Sequence, residues 1–339
     1  MWAFLLLGVV SLWAFGQTTL VLYSFGLAMV EETRRVHLAE EGLLELSGFP
    51  TDTLWETWEV EGLEVRFLRP VSQERALLRY RAPAPGERDV RFRYLARGFT
   101  WKIGYDAELQ GDELRVVGKV LVLNETGRDF SGARIILVAG EMRAPHDLVL
   151  APKAALVEAT PAEAFEYYRY DLPGTWEVPQ GSLVLPLVRT RAPAHKLYRF
   201  RGQGVEVRLR FTAPAVLPAG EVRLYAEGIY AGADTIGHTP QGREVELFVG
   251  RAFDLWGRRV KVHHERIEED LFRETWRIVL RSAKAEDVVV EVVESLPGYW
   301  RILSSTAPHE VLDAQRVKFA VPVPKGGEAV LEYTVEWRP

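Results

Sequence analysis

The 339-residue chain has no cysteine, a single asparagine (Asn124) and three methionines. Without cysteine there are no disulfides, no thiolate metal site, no cysteine nucleophile and no lipid-modified N-terminal cysteine. Its fold must rest on a packed core, and a chain of this length can bury one. No polybasic tract occurs: arginines interleave with glutamates and the formal net charge is -5. That argues against a dedicated nucleic-acid binder, which carries a basic excess on at least one domain. After residue 15 no run is apolar enough for a transmembrane helix. Helical periodicity is weak throughout, and the Ala-rich Pro152 to Phe165 stretch reads as a short helix or a linker. Few thermolabile residues, with arginine far above lysine, suggest a thermophile, although a GC-rich genome gives the same arginine bias.

The motifs that carry common chemistry are missing too. There is no Gly-x-Ser-x-Gly elbow, no phosphate-cradling Gly-x-x-x-x-Gly-Lys-Ser/Thr loop and no His-Glu-x-x-His. Gly202-Gln-Gly204 reads as a hairpin turn, and Asn124-Glu-Thr126, formally a glycosylation acceptor, also reads as a turn. His37, His146, His195, His238 and His309 are isolated, mostly beside turn residues, and read as solvated loop positions.

What is present is alternation. Val205-Glu206-Val207-Arg208-Leu209-Arg210-Phe211 puts apolar side chains on one face and charges on the other, as a half-buried antiparallel strand requires. Similar runs recur from Asp89 to Trp337, separated by turn signals such as Asn124 to Gly127 and Leu296-Pro-Gly298. With 47% hydrophobic and 26% charged residues the chain is globular. We therefore expect an all-β protein of antiparallel β-sandwich domains in tandem, the last one immunoglobulin-like. The expected division is 1–16, 17–95 (an N-terminal β region), 96–250 (a central β domain) and 251–339 (the C-terminal sandwich). Residues 1–16 hold an apolar run from Trp2 to Phe15 and the small-x-small triplet Ala14-Phe15-Gly16, the pattern of a secretory signal. No Lys or Arg precedes Arg34, and an uncleaved anchor or a buried first strand are the alternatives.

The segments LVLYSFGLAMVEETRRVHL, ARGFTWKIGYDAEL, VLVLNETGRDFSGARIILVAGE, FEYYRYDLP and ESLPGYWRILSS occur in an order that resembles the bacterial secreted family called domain of unknown function 4139. The resemblance spans Thr18 to Trp337, and its most specific parts are Gly98 to Leu109 and Asn124 to Glu141. It implies an exported, all-β, multi-domain protein, and it brings no catalytic residues with it.

The densest candidate chemistry is RVKVHHERIEEDLFRETW, Arg259 to Trp276. Val260 and Val262 set an inward phase that puts Lys261 and His263 outside and His264 nominally inside. Adjacent strand residues face opposite ways, so His263 and His264 do not converge on one ion; zinc pairs prefer i, i+2 on strands or i, i+4 on helices. The phase breaks near Arg266-Ile267, with Glu268, Glu269, Asp270 and Leu271 as a loop. It resumes with Phe272, Trp276, Ile278 and Leu280 inward and Arg273, Thr275 and Arg277 outward. Glu274 falls in the inward phase between aromatics. It is either an edge position or a carboxylate paired with a neighbouring arginine, or else a desolvated acid with a raised pKa. A hairpin is the expected reading, with no catalytic, cofactor-binding or metal residue assigned and no cofactor. Phe165-Glu-Tyr-Tyr-Arg-Tyr170 puts Phe165, Tyr167 and Arg169 on one face and Tyr168 and Tyr170 on the other, as either a strand at an interface or a sugar or protein contact.

These observations favour a non-enzymatic scaffold, adaptor or assembly component of the envelope, in the periplasm or at the cell surface. Its partner would be a protein or an envelope component, with no nucleic acid and no integral membrane span in the mature chain. The alternative is a carbohydrate-binding or glycan-processing protein that uses aromatic surface and acidic loops. Two carboxyls about 5–10 Å apart in an aromatic groove would favour it.

Overall fold

The computed structural model describes residues 15–139, 162–164 and 167–339. The expected signal segment before Phe15 lies outside the described residues, as does the expected helix or linker except for the strand Ala162–Ala164. Among the described residues the chain is all β, without helix. No described helix is long and apolar enough to cross a membrane.

In chain order the strands are β1 (Phe15–Tyr23), β2 (Leu27–Leu38), β3 (Glu41–Leu46), β4 (Thr53–Glu61), β5 (Glu64–Ser72), β6 (Arg75–Arg81), β7 (Gly86–Arg97), β8 (Phe99–Gln110), β9 (Glu113–Asn124), β10 (Phe130–Ala139), β11 (Ala162–Ala164), β12 (Tyr167–Asp171), β13 (Trp176–Val178) and β14 (Gly181–Phe200). They continue with β15 (Val205–Thr212), β16 (Gly220–Ala226), β17 (Ile229–Ile236), β18 (Glu244–Arg251), β19 (Leu255–Arg266), β20 (Phe272–Ser282), β21 (Val288–Ser295), β22 (Tyr299–Ser305), β23 (His309–Asp313), β24 (Arg316–Val323) and β25 (Glu328–Arg338).

The chain forms two compact units, residues 1–104 with 117–188, and residues 105–116 with 189–339. The expected seams at 95/96 and 250/251 are therefore not where the units part. Strands β8, β9 and β14 each supply residues to both units, and unbroken alternation along a strand gives no sign of such a division.

In the first unit one sheet runs β11-β12-β10-β1-β2-β7-β4, with β13 also on β10, and a second runs β3-β6-β5. Strands β1 and β10 pair in parallel; β2 and β7 pair antiparallel from Leu27↔Arg97 to Leu38↔Gly86. Period two puts Val30, Glu32, Arg34, Val36 and Leu38 of β2 on the buried side. Two charges thus occupy core positions on a strand that is otherwise apolar there.

A third sheet runs β17-β16-β8-β9-β14-β21-β24-β23, with β15 joining β14 to β18, and in the second unit a fourth runs β19-β20-β25-β22. The seven last strands, with the end of β14, form two facing layers over one core, which includes Phe200, Leu255, Ile278, Leu280, Val292, Phe319 and Leu331. Each such side chain, fully buried, contributes about 1.5–3 kcal/mol. Gly257 is a place of close approach, since a Cβ there would meet the Phe200 ring at 2.6 Å. The final strand, β25, lies between β20 and β22. In an immunoglobulin constant-type domain the last strand pairs instead with the sixth.

Candidate functional site

Arg259 to Trp276 is a strand, a tight turn and a strand. Ile267 and Glu268 donate backbone hydrogen bonds to the Leu271 carbonyl and close the turn. Opposite residues in an antiparallel ladder share a face, so the register assigns every side chain. Gly257 faces Leu280, Arg259 faces Ile278 and Lys261 faces Trp276; after a bulge at Val262, His263 faces Thr275 and His264 faces Glu274. Arg259 and Lys261 therefore point inward, while Val260 and Val262 are 37% and 42% exposed. This corrects the expected phase of Val260, Val262 and Lys261. On an edge strand the apolar residues need not face the core, and an extra residue in a bulge reverses the alternation. His264 reaches the inner face, as expected, because these two errors cancel. The break expected at Arg266-Ile267 is the turn itself.

The bulge brings Lys261 and His264, three residues apart, onto one carboxylate. Lys261 Nζ donates to Glu274 Oε1 at 2.6 Å, and His264 Nδ1 lies 2.9 Å from the same oxygen. Trp276 Nε1 donates to Oε2 at 3.0 Å. The Glu274 side chain is 8% exposed, against 39% for Lys261 and 49% for His264. Burial alone would raise the Glu274 carboxyl, but hydrogen bonds from Lys261 and His264 and the Lys261 charge outweigh it and hold the group below the ordinary range. Glu274 is an ion-paired carboxylate, but its partners are Lys261 and His264 and not the expected neighbouring arginine.

The network continues along the sandwich interior. The Arg259 guanidinium lies 3.2 Å from the Trp276 ring centroid, and its Nε donates to Glu294 Oε2 at 2.7 Å. Tyr333 Oη donates to the same Glu294 oxygen at 2.6 Å. Toward the turn the inner face ends in rings: His264 on Phe272 at 5.9 Å between centroids, and Phe272 on Trp337 at 4.8 Å.

An ionised carboxylate held by a lysine and two N–H donors is a poor proton donor and a weak base at neutral pH. Its geometry makes it a clasp that pins an edge strand to its neighbour. His263 and His264 take opposite faces, and no group of three His, Asp or Glu able to hold a metal occurs among the described residues. In the loop, Glu268 and Asp270 lie 3.1 and 3.7 Å from the Arg338 guanidinium. Within Phe165 to Tyr170 the described residues start at Tyr167. There β12 lies between β11 and β10, Arg169 pairs with Asp171 at 2.8 Å, and burial raises the Tyr170 hydroxyl's pKa. His37, His195, His238 and His309 are exposed; His146 is outside the described residues. Asn124 is buried at the end of β9, where it closes the following turn by donating its amide to the Arg128 carbonyl at 2.8 Å.

Sequence reasoning missed a second clasp, in the first unit. Glu32 and Arg34 are both fully buried and ion-paired. Arg128 Nη2 donates to Glu32 Oε2 at 2.9 Å and Tyr94 Oη to Oε1 at 3.1 Å. Arg34 Nη1 donates to the Ser47 carbonyl at 2.7 Å, and its guanidinium lies 4.3 Å from the Phe49 ring centroid. Burial favours neutral Glu32, but the charges of Arg34 and Arg128 outweigh it and lower its pKa. The signal was available: in Val30-x-Glu32-x-Arg34-x-Val36-x-Leu38 both charges fall in the apolar phase.

No protein-family model matches the chain, and no curated protein matches it.

Proposed function

We propose that this protein is an exported, non-enzymatic component of the bacterial envelope, an adaptor or assembly part built of tandem β-sandwiches, the last a variant of the immunoglobulin-like architecture. The observation that carries the reading is the state of the candidate site. Its carboxylate is committed to Lys261, His264 and Trp276, an arrangement that anchors a strand at an open sheet edge. Such edges recruit partners by strand addition. Export is supported by the apolar Trp2 to Phe15 pattern and by the resemblance to the secreted family, which we carry forward as part of the same proposal. Many cross-strand Arg–Glu pairs fit a thermophilic origin.

Crosslinking the mature chain in an envelope extract, with mass spectrometry of what is held, tests the role. A discrete, reproducible protein partner supports the adaptor. Recovery of cell-wall polysaccharide alone would replace it with the glycan reading. For export, the amino terminus of the protein recovered outside the cytoplasm should map near Gln17; an intact Met1 there would show a retained anchor.

A further inference from the structure

We infer that the open edge of β19 is a docking strand for an acidic, extended peptide segment of another protein. This rests on the adaptor reading and names its partner class. Strand β19 ends the four-stranded sheet, so along Arg258 to Arg266 one side of its backbone has no neighbouring strand among the described residues. The sequence of that stretch, RRVKVHHER, carries four Lys or Arg and two His against one Glu, in a chain whose net charge is -5. An incoming strand would set alternate side chains on the two faces of the sheet. On the inner face they would lie beside Lys261 and His264; on the outer face beside Arg258, exposed Val260 and His263. Arg258 has no ion-pair partner among the described residues, and His263 has only Glu265 at 3.8 Å.

The sheet already uses the matching code one strand further in. Along its outer face β20 meets β25 as Arg281↔Glu328, Val279↔Val330, Arg277↔Glu332, Thr275↔Thr334 and Arg273↔Glu336. A partner that alternates acids with small apolar residues at every second position, along one face, would repeat that pairing on β19. A second copy of this chain fits badly, because antiparallel self-pairing of RRVKVHHER sets cation against cation. Two other edges are blunted or already neutralised. Strand β5 has Pro70 and two register breaks, and on β23 Glu310 and Asp313 are paired with Lys318 and Arg316.

The test uses the full chain and a rhodamine-labelled peptide of about ten residues, the length that spans such a strand, with Glu and Val alternating at every second position and Thr between them, so that both fall on one face. Two control peptides accompany it, one with Lys for Glu and one with alternate backbone amides N-methylated. Fluorescence anisotropy should show binding of the acidic peptide. Binding should weaken at least about tenfold with N-methylation, and by a similar factor for the Arg258→Glu/His263→Glu variant, since both the strand ladder and the charge match are needed. Circular dichroism and unchanged thermal unfolding would verify that the variant is folded; Arg258→Gln/His263→Gln, which keeps polarity, should fall between it and wild type. No binding of the acidic peptide, equal binding of the N-methylated or Lys peptide, or a concentration-dependent dimer by sedimentation would each overturn the inference. Capture from envelope extract separates the two levels. A protein held equally by wild type and the Glu variant would remove the β19 edge and keep the adaptor; no protein held by either would remove both.

Discussion

Two carboxylates sit in the inward phase of a strand, one in each unit, and they are held in different ways. Glu32 and Arg34 are both 0% exposed, and Arg128 and Tyr94 complete the shell. Glu274 is nearly as buried, but its partners Lys261 and His264 sit at a sheet edge with much of their side chains in water. The same sequence device, a charge in an apolar phase, therefore makes an interior clasp in one place and a rim clasp in the other. What differs is the solvation of the partners. Removing a carboxylate strands the fully buried Arg34 and the largely covered Arg128 in the first case, whereas in the second the cations simply turn to water.

The comparison predicts a hierarchy of effects. Glu32→Gln should cost the most, about 3–5 kcal/mol, because it leaves buried positive charge uncompensated; urea unfolding followed by tryptophan fluorescence measures it. Glu32→Gln combined with Arg34→Met should recover part of the loss, and a double variant no better than the single one would break the account of that cluster.

Next in size is Glu274→Gln. It should cost about 1 kcal/mol, the net worth of a part-exposed charged hydrogen bond discounted for screening. A loss as large as that of Glu32→Gln would erase the distinction between interior and rim.

Acid titration sharpens the comparison further. On the face of the β14–β15–β18–β21 sheet, Glu246 bonds Arg199, Arg208 and Arg210, with Arg208 Nη1 at 2.7 Å and Arg210 Nη2 at 3.0 Å. Burial raises this carboxyl, and the hydrogen bonds from Arg199 and Arg210 lead the opposing effects that bring it down to about 2. A depressed folded pKa stabilises above the unfolded value of about 4.3 and loses that contribution as pH falls through the folded one. Glu246→Gln should therefore flatten the stability profile between about pH 4.3 and pH 2, leaving its slope above pH 5 unchanged.

The smallest effect expected concerns metal. His263→Ala with His264→Ala should leave the metal content of purified protein unchanged in elemental analysis. Stoichiometric metal in wild type, lost in that variant, would break the hairpin description of the site.

Much of the fold was legible because alternation of period two is a direct consequence of strand geometry, and it runs through most of the chain. The all-β class followed from it, as did the hairpin at Arg259 to Trp276 and the inward Glu274. Three things did not. The unit boundaries fall inside strands β8, β9 and β14, where the pattern continues across the division. The phase of β19 was misread because Val260 and Val262 look like core residues, yet an edge strand exposes one side and a bulge consumes one residue. The partners of Glu274 were hidden for the same reason: Lys261 and His264 share a face only because Val262 is bulged out. The Glu32 clasp needed no such correction, since its parity was plain and only its partners on β7 and in the β9–β10 turn were beyond reach of the sequence.

The most direct test of the site is the ionisation of Glu274. With carboxyl-13C-labelled glutamate, the Glu274 resonance assigned by its loss in Glu274→Gln should titrate with a midpoint below the ordinary carboxylate range, as a clasp held by Lys261 and His264 requires. A midpoint above that range would contradict the account and restore Glu274 as a desolvated acid available for catalysis.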